Sequence, residues 1–383
     1  MRAEFLLDPS VVFLNHGSFG ACPRPVFEAY QAWQRELELQ PVEFLGRRFA
    51  GLMRDARAGL AAYLGAGADD VVYVPNATTG VNIVARSLAP GLGAGDEVLT
   101  IDHEYGACDR AWRAALAGTG AVYRRLAVGL PVSSHAELAE RIWAAVSPRT
   151  RVLYLSHITS PTALTLPVEA LVARARARGI TTVIDGAHGP GQVPLDLAAL
   201  GADFYAGNCH KWLCAPKGAG FLYARPTMRD RVSPAVVSWG VESPLATGDA
   251  FIDELEFVGT RDYAAALAVP AAIAYQAARD WPAVRARCHA LVREARARLL
   301  AVDGMGAIHP DDGAWYAQME AVALPPGTDV VALKDRLYDE HRVEVPTILW
   351  NGQPLLRVSV QGYNTPADVD ALIEAVGAVL GSG

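Results

Sequence analysis

The chain has 383 residues, long for a single core, and 51% of them are hydrophobic, so a two-domain globular protein is expected. A formal net charge of −7, with arginines spread rather than clustered, offers no basic patch and argues against a nucleic-acid partner. Apolar runs are interrupted by charges before membrane-spanning length, the start MRAEFLLDPSVVF lacks a signal-peptide pattern, and five cysteines include no CxxC pair. No membrane association, metal site or disulfide framework is therefore expected, and the composition reads as cytoplasmic.

Residues 11–20, VVFLNHGSFG, are a short apolar run followed by a glycine-punctuated turn holding Asn15 and His16, which suit either turn capping or a ligand contact. The spacing of Val26, Ala29, Tyr30, Trp33 and Leu37 predicts a helix over 25–38 that Pro41 ends, and an amphipathic helix follows over about 44–64. Residues 71–74 read as a strand, followed by a Pro-Asn turn and a helix opening on Ala77-Thr78-Thr79-Gly80. Free first-turn amides, the helix dipole and threonine hydroxyls are the ingredients of a phosphate site, although threonine is also an ordinary N-cap. Strands at 97–101, 122–126 and 151–157 then alternate with helices from about 106, over 134–145 and over 168–178. Three short β-branched or apolar runs follow at 181–184, 203–206 and 220–223. Seven strands alternating with helices predict an α/β fold with a mainly parallel sheet covered on both faces.

Beyond residue 225 a turn-rich stretch ends in Gly259-Thr260-Arg261-Asp262, and helices over 263–279 and 282–300 lead into a second unit. Its expected strands are 315–323, 343–348 and 355–359, with helices over 330–341 and 366–380. The expected division is a large domain over 15–258 and a smaller α+β domain from 1–14 with 259–383.

Asp185 closes the first of the three short runs and His210-Lys211 follows the second, so both fall at the ligand-binding edge of a parallel sheet. The chain has only three lysines, Lys211, Lys217 and Lys334, against 31 arginines. A lysine kept among so many arginines suggests Schiff-base chemistry, which needs an amine able to lose its proton. Lys334 lies in the polar run LKDRLYDEH and reads as a solvated charge, whereas Lys211 lies among apolar neighbours.

Asp-Gly-Ala-His, with His-Lys-Trp bringing the lysine 26 residues after the Asp, resembles the class V aminotransferase superfamily of pyridoxal 5′-phosphate enzymes, fold type I. NHGSFGACPRPVFEAYQAWQRELELQPVEFLGRRF and GNCHKWLCAPKGAGFLY resemble its isopenicillin N epimerase-like branch, and the resemblance covers nearly the whole chain. It implies that Lys211 carries the cofactor, Asp185 pairs with the pyridine nitrogen and His188 lies near the ring oxygen. It further implies that Thr78, Thr79, Asn208 and His210 hold the phosphate, and that Tyr105 stacks on the ring. A hydroxyl of Thr159-Ser160 would meet the phenolic oxygen, with Ser160 the residue taken. Arg357 would clamp the substrate carboxylate, and its apolar surroundings favour an anionic ligand over a structural salt bridge. Gly259-Thr260 would reach the partner's cofactor phosphate in an obligate homodimer. Substrate specificity would come from Asn15, His16, Phe19, Phe44, Arg47 and Trp350.

Cysteine desulfurases carry a catalytic cysteine shortly before this arginine, and residues 289–357 contain none. The reactions expected are therefore epimerisation at Cα first, β-elimination from an S-substituted cysteine second, and transamination or decarboxylation-coupled deamination third. A non-catalytic protein of the same fold is the least favoured, since the lysine is retained.

Overall fold

The computed structural model describes residues 1–242 and 247–381. Its centre is a seven-stranded sheet of β1 (Val71–Val74), β2 (Glu97–Ile101), β3 (Val122–Leu126), β4 (Thr150–Ser156), β5 (Thr181–Gly186), β6 (Phe204–Asn208) and β7 (Gly220–Ala224). The spatial order is β1-β7-β6-β5-β4-β2-β3, and only β7 runs antiparallel to its neighbours. All seven expected strands are present. Strands β1, β2, β6 and β7 are buried along their whole length because helices cover both faces. The edge strand β3 is the exception: its sequence VYRRL places two arginines where an open edge would otherwise invite pairing.

The antiparallel turn from β6 into β7 has a consequence for the site. A parallel continuation would need a crossover, whereas β7 returns directly, so 209–219 form a loop at the carboxyl edge of the sheet and carry Lys211 there. Helix Ala77–Leu88 packs across β5, β6 and β7, with its N-terminus at the same edge.

The smaller unit is a four-stranded antiparallel sheet in the order Thr347–Trp350, Gln353–Ser359, Met319–Ala323, Gly306–Ala307. Helices Trp281–Leu299 and Val330–His341 pack on it, and Pro366–Gly381 packs on those helices. Val12–Phe13 pairs in parallel with Val343–Glu344, which ties the first residues to this unit.

Several expected elements are shorter than their apolar patterns. The helix expected over 263–279 is split into Ala264–Leu267 and Val269–Ala277, since Pro270 has no N–H to donate back to the preceding turn. Pro346 likewise divides the strand expected over 343–348 into Val343–Glu344 and Thr347–Trp350. The strand expected from 315 starts only at Met319, because nearby backbone groups bond elsewhere: Trp315 O accepts from Thr165 N and Gln318 N donates to Gln192 Oε1. The second helix opens with a wide turn over Phe44–Arg48 before its regular part, Phe49–Leu64. Helices Ala264–Leu267 and Val269–Ala277 pack on Arg24–Leu39 and Phe49–Leu64 rather than on the small sheet.

Candidate active site

Lys211, Asp185, His188, Asn208 and His210 converge at the carboxyl ends of β5 and β6, where the register sets Asp185 opposite Ala206. Two glycines let other segments clasp the lysine loop. Gly20, at φ +69°, lies so near that a Cβ would sit 1.9 Å from His210 O, and Gly191, at φ +86°, would place one 2.3 Å from the Trp212 carbonyl carbon. No side chain fits at either point.

Lys211 Nζ lies 3.2 Å from His188 Nε2. Burial, reinforced by the Arg357 charge and opposed by Asp185, lowers the amine to about 7. His188 is buried and held well below its ordinary pKa, first by burial and then by the Lys211 charge, so its ring is neutral. Asp185 is also buried: Oδ1 accepts from Ala187 N at 3.0 Å, while Oδ2 has only long contacts from Cys108 Sγ (3.4 Å) and Tyr154 Oη (3.5 Å). Burial raises its carboxyl pKa. A buried carboxylate so weakly partnered suits a cationic N–H, the donor a protonated pyridine ring would present.

At the helix N-terminus, Asn76 is the N-cap and accepts from both Thr79 N (2.9 Å) and Thr79 Oγ1 (3.2 Å), while Asn208 Oδ1 accepts from Ala77 N at 2.8 Å. The Thr78 hydroxyl has no hydrogen bond among the described residues, which leaves it free for an anion; Thr79 is already engaged in capping. His210 Nδ1 faces Ala219 O at 3.2 Å, so that nitrogen carries the hydrogen and Nε2 is left over.

Arg357, on strand Gln353–Ser359, is 4% exposed and forms no ion pair among the described residues. Nη1 donates to Ser160 O (2.5 Å) and Nη2 to Ser18 Oγ (3.1 Å), Nε has no partner among the described residues, and burial alone lowers the guanidinium to about 10. A buried guanidinium offered only neutral oxygens and keeping a spare N–H fits a ligand carboxylate. Of the two hydroxyls left open by the sequence, Thr159 Oγ1 is spent on Thr162 (2.7 Å) and Leu164 N (2.9 Å), whereas Ser160 lies beside Arg357.

Other expected residues are placed differently from one another. Asn15 donates to Glu344 (2.8 Å) and accepts from Ser18, so it supports the arginine's neighbour. His16 is fully buried: Nδ1 meets Tyr363 Oη and Nε2 meets Lys211 O, both at 3.0 Å, and burial lowers its pKa to about 3. Both ring nitrogens are occupied, so His16 braces the lysine backbone and has none to offer a substrate. Tyr105 is 45% exposed at the N-terminus of helix Gly106–Leu116, and Phe19 is 73% exposed. Phe44 is buried against Trp33, and the Trp350 ring lies tilted against His103 with centroids 4.3 Å apart. Arg47 lines an apolar cavity of ≈ 420 Å³ with Val42, Met53 and Trp239, which contains none of Lys211, Asp185 or Arg357. Thr260 is exposed in a shallow pocket beside Gln34 and Leu37.

Sequence reasoning passed over three neighbours. Ser18 lies inside the NHGSFG turn, Trp212 follows the lysine directly, and Glu104 is buried with Oε1 accepting from Ser156 N (3.0 Å) and Oε2 from Ser156 Oγ (2.6 Å). Each lay inside or beside a motif already singled out, but residue type alone could not show which way the side chains turn.

Comparison with known proteins finds relatives along nearly the whole chain. The aminotransferase class-V family model matches residues 19–372. An isopenicillin N epimerase of Amycolatopsis lactamdurans is 41% identical over 98% of this chain and 96% of its own length. A putative L-cysteine desulfhydrase of Oryza sativa subsp. japonica is 33% identical over 100% of this chain and 88% of its own. Among solved structures, the Escherichia coli cysteine desulfurase CsdA superposes with a TM-score of 0.83 at 25% identity, covering 100% of this chain and 98% of that one.

Proposed function

We propose a function from one premise: the chain belongs to the class V aminotransferase family, whose cofactor is pyridoxal 5′-phosphate. The reading is an enzyme acting at the Cα of an amino acid or an amino-acid-containing metabolite, with epimerisation of an isopenicillin-like peptide as the reaction. The observation that carries it is the buried Arg357, without an acidic partner among the described residues, close enough to Lys211 for its charge to lower the amine. Such a pair sets a carboxylate on one side of Cα and a base on the other.

Bound pyridoxal phosphate supplies an electron sink for the pair left behind when the Cα proton departs. The chain's residues do the remaining work. Arg357 fixes the substrate carboxylate and, with it, the direction of the Cα–H bond. Lys211, lowered to about 7, is substantially free amine at neutral pH and can take that proton. Asp185 would hold the ring nitrogen in its protonated form, and Thr78 with the first turn of its helix would hold the phosphate. Inversion also requires a proton delivered to the opposite face.

A second reading is a C–S β-lyase on an S-substituted cysteine. The desulfhydrase relative favours it, and it needs only the one base. Epimerisation ranks first because the epimerase relative is nearer in sequence. Proton NMR in deuterated water distinguishes the two. Deuterium at Cα of an isopenicillin-like tripeptide, with the amino group retained and both configurations recovered, supports the epimerase. Pyruvate, ammonia and free thiol from an S-alkyl cysteine would replace it with the lyase, and inertness toward both would refute both substrates. Shared active sites in a homodimer, with Thr260 supplied by the partner subunit, are part of the same reading.

A further inference from the structure

His188 has two ring nitrogens, and their neighbours differ in kind. Nδ1 lies 3.2 Å from the Trp212 indole nitrogen, and Nε2 lies 3.2 Å from Lys211 Nζ. An indole N–H can only donate. Nδ1 must therefore be the bare nitrogen, and a neutral ring has its hydrogen on Nε2, pointing at the lysine.

The indole has little freedom to do otherwise. Trp212 is fully buried among Ile158, Ala163, Met319, Ala321 and Leu355, its carbonyl accepts from Gln276 Nε2 at 2.9 Å, and Gly191 presses on its backbone. His188 is restrained from the other side, where Gln192 Nε2 donates to its carbonyl at 2.8 Å.

We propose that Trp212 is a positioning residue that locks His188 as an Nε2–H donor toward the Lys211 nitrogen, and so selects the unprotonated form of that nitrogen. This rests on the cofactor reading above and deepens it. An N–H aimed at nitrogen is satisfied only when a lone pair faces it, whereas an ammonium there would set donor against donor. In the other tautomer, bare Nε2 would accept from an ammonium and hold the proton on the lysine. The indole therefore acts at one remove, converting a histidine that could stabilise either form into one that stabilises the base. The other titratable or charged groups acting on the pair are Asp185, Arg357, His210, His16 and Cys108, none of which bonds to His188 Nδ1.

The test uses the holoenzyme labelled with ¹⁵N-histidine, with long-range ¹H–¹⁵N correlation to read the tautomer and visible absorbance to titrate the lysine–cofactor linkage. His188→Gln identifies the His188 signals. The expected native spectrum has Nε2 protonated and Nδ1 bare. Trp212→Phe should give a mixture of tautomers and raise the linkage pKa by about one unit, the value of one hydrogen bond. In a His188→Phe background there is no ring nitrogen to orient, so Trp212→Phe should move the pKa by less than about 0.3 unit on the same scale. A native Nδ1–H tautomer, or an equal shift in both backgrounds, would overturn the proposal. If Trp212→Phe does not fold, the native spectrum still decides. Failure of the cofactor reading would show separately, as no lysine-linked absorbance band, while the tautomer of the cofactor-free chain remains readable.

Discussion

The site brings together groups whose pKa values are all moved by burial. Lys211 falls to about 7, Arg357 to about 10, and Glu104 rises to about 8. Lys211→Ala is expected to abolish turnover and the lysine-linked absorbance together; an unchanged spectrum would refute the assignment. Arg357→Lys keeps a charge but loses the planar fork, so KM should rise about 10- to 100-fold with a smaller change in kcat, measured by steady-state kinetics. Glu104 gives a stability prediction. Its folded pKa, about 8, exceeds the unfolded value of about 4.3, so the folded chain binds the extra proton between them. Its contribution is complete below about pH 4.3 and is lost as pH rises through 8. Glu104→Gln cannot ionise, so urea unfolding should show native stability falling relative to the variant by at least about 1 kcal/mol between pH 5 and 8.

Among the elements, the loop 209–219 and the turn His16–Phe19 matter most, because each is held by the other. His16 bonds the Lys211 carbonyl, Ser18 receives Arg357, and Gly20 passes against His210. One short turn thus joins the lysine on the large sheet to the arginine on the small one. Gly20→Ala adds a Cβ at a glycine-only conformation and directly against a carbonyl oxygen. It should cost about 1–3 kcal/mol from the backbone alone and lower cofactor occupancy as well. Gly118 has φ +86° but open space around it, so Gly118→Ala should cost less and leave occupancy unchanged, compared by thermal unfolding and absorbance.

At the scale of the whole molecule, one chain leaves apolar surface uncovered. Val42 is 73% exposed and Trp239 73% exposed, both line the ≈ 420 Å³ cavity, and Val237 is exposed on the same segment as Trp239. Thr260 lies beside the neighbouring shallow pocket. In the proposed dimer this face meets a second copy. Trp239→Asp should therefore shift sedimentation from dimer to monomer and reduce activity in parallel. Mixing unfolded Lys211→Ala and Thr260→Glu chains and refolding them should recover activity that neither variant has alone. A monomeric native enzyme would remove this reading.

Local chemistry made most of the fold and part of the site legible. Residues such as Val71–Val74 and Glu97–Ile101 read as short buried strands between turn residues, and Asp185, Lys211 and Thr78 stand at or just beyond strand or helix ends that the pattern locates. The departures came where backbone groups found long-range partners, as at Gln318, or where proline removed one, as at Pro270 and Pro346. What only the tertiary structure decided is which atom each side chain spends on which neighbour. His16 and His188 are both histidines near the same lysine. One has both nitrogens engaged behind the Lys211 backbone, and the other turns Nε2 toward the amine. The physical reason is that a hydrogen bond depends on direction and on distances of about 3 Å, and those are set by chain segments far apart in sequence that the fold alone brings into contact.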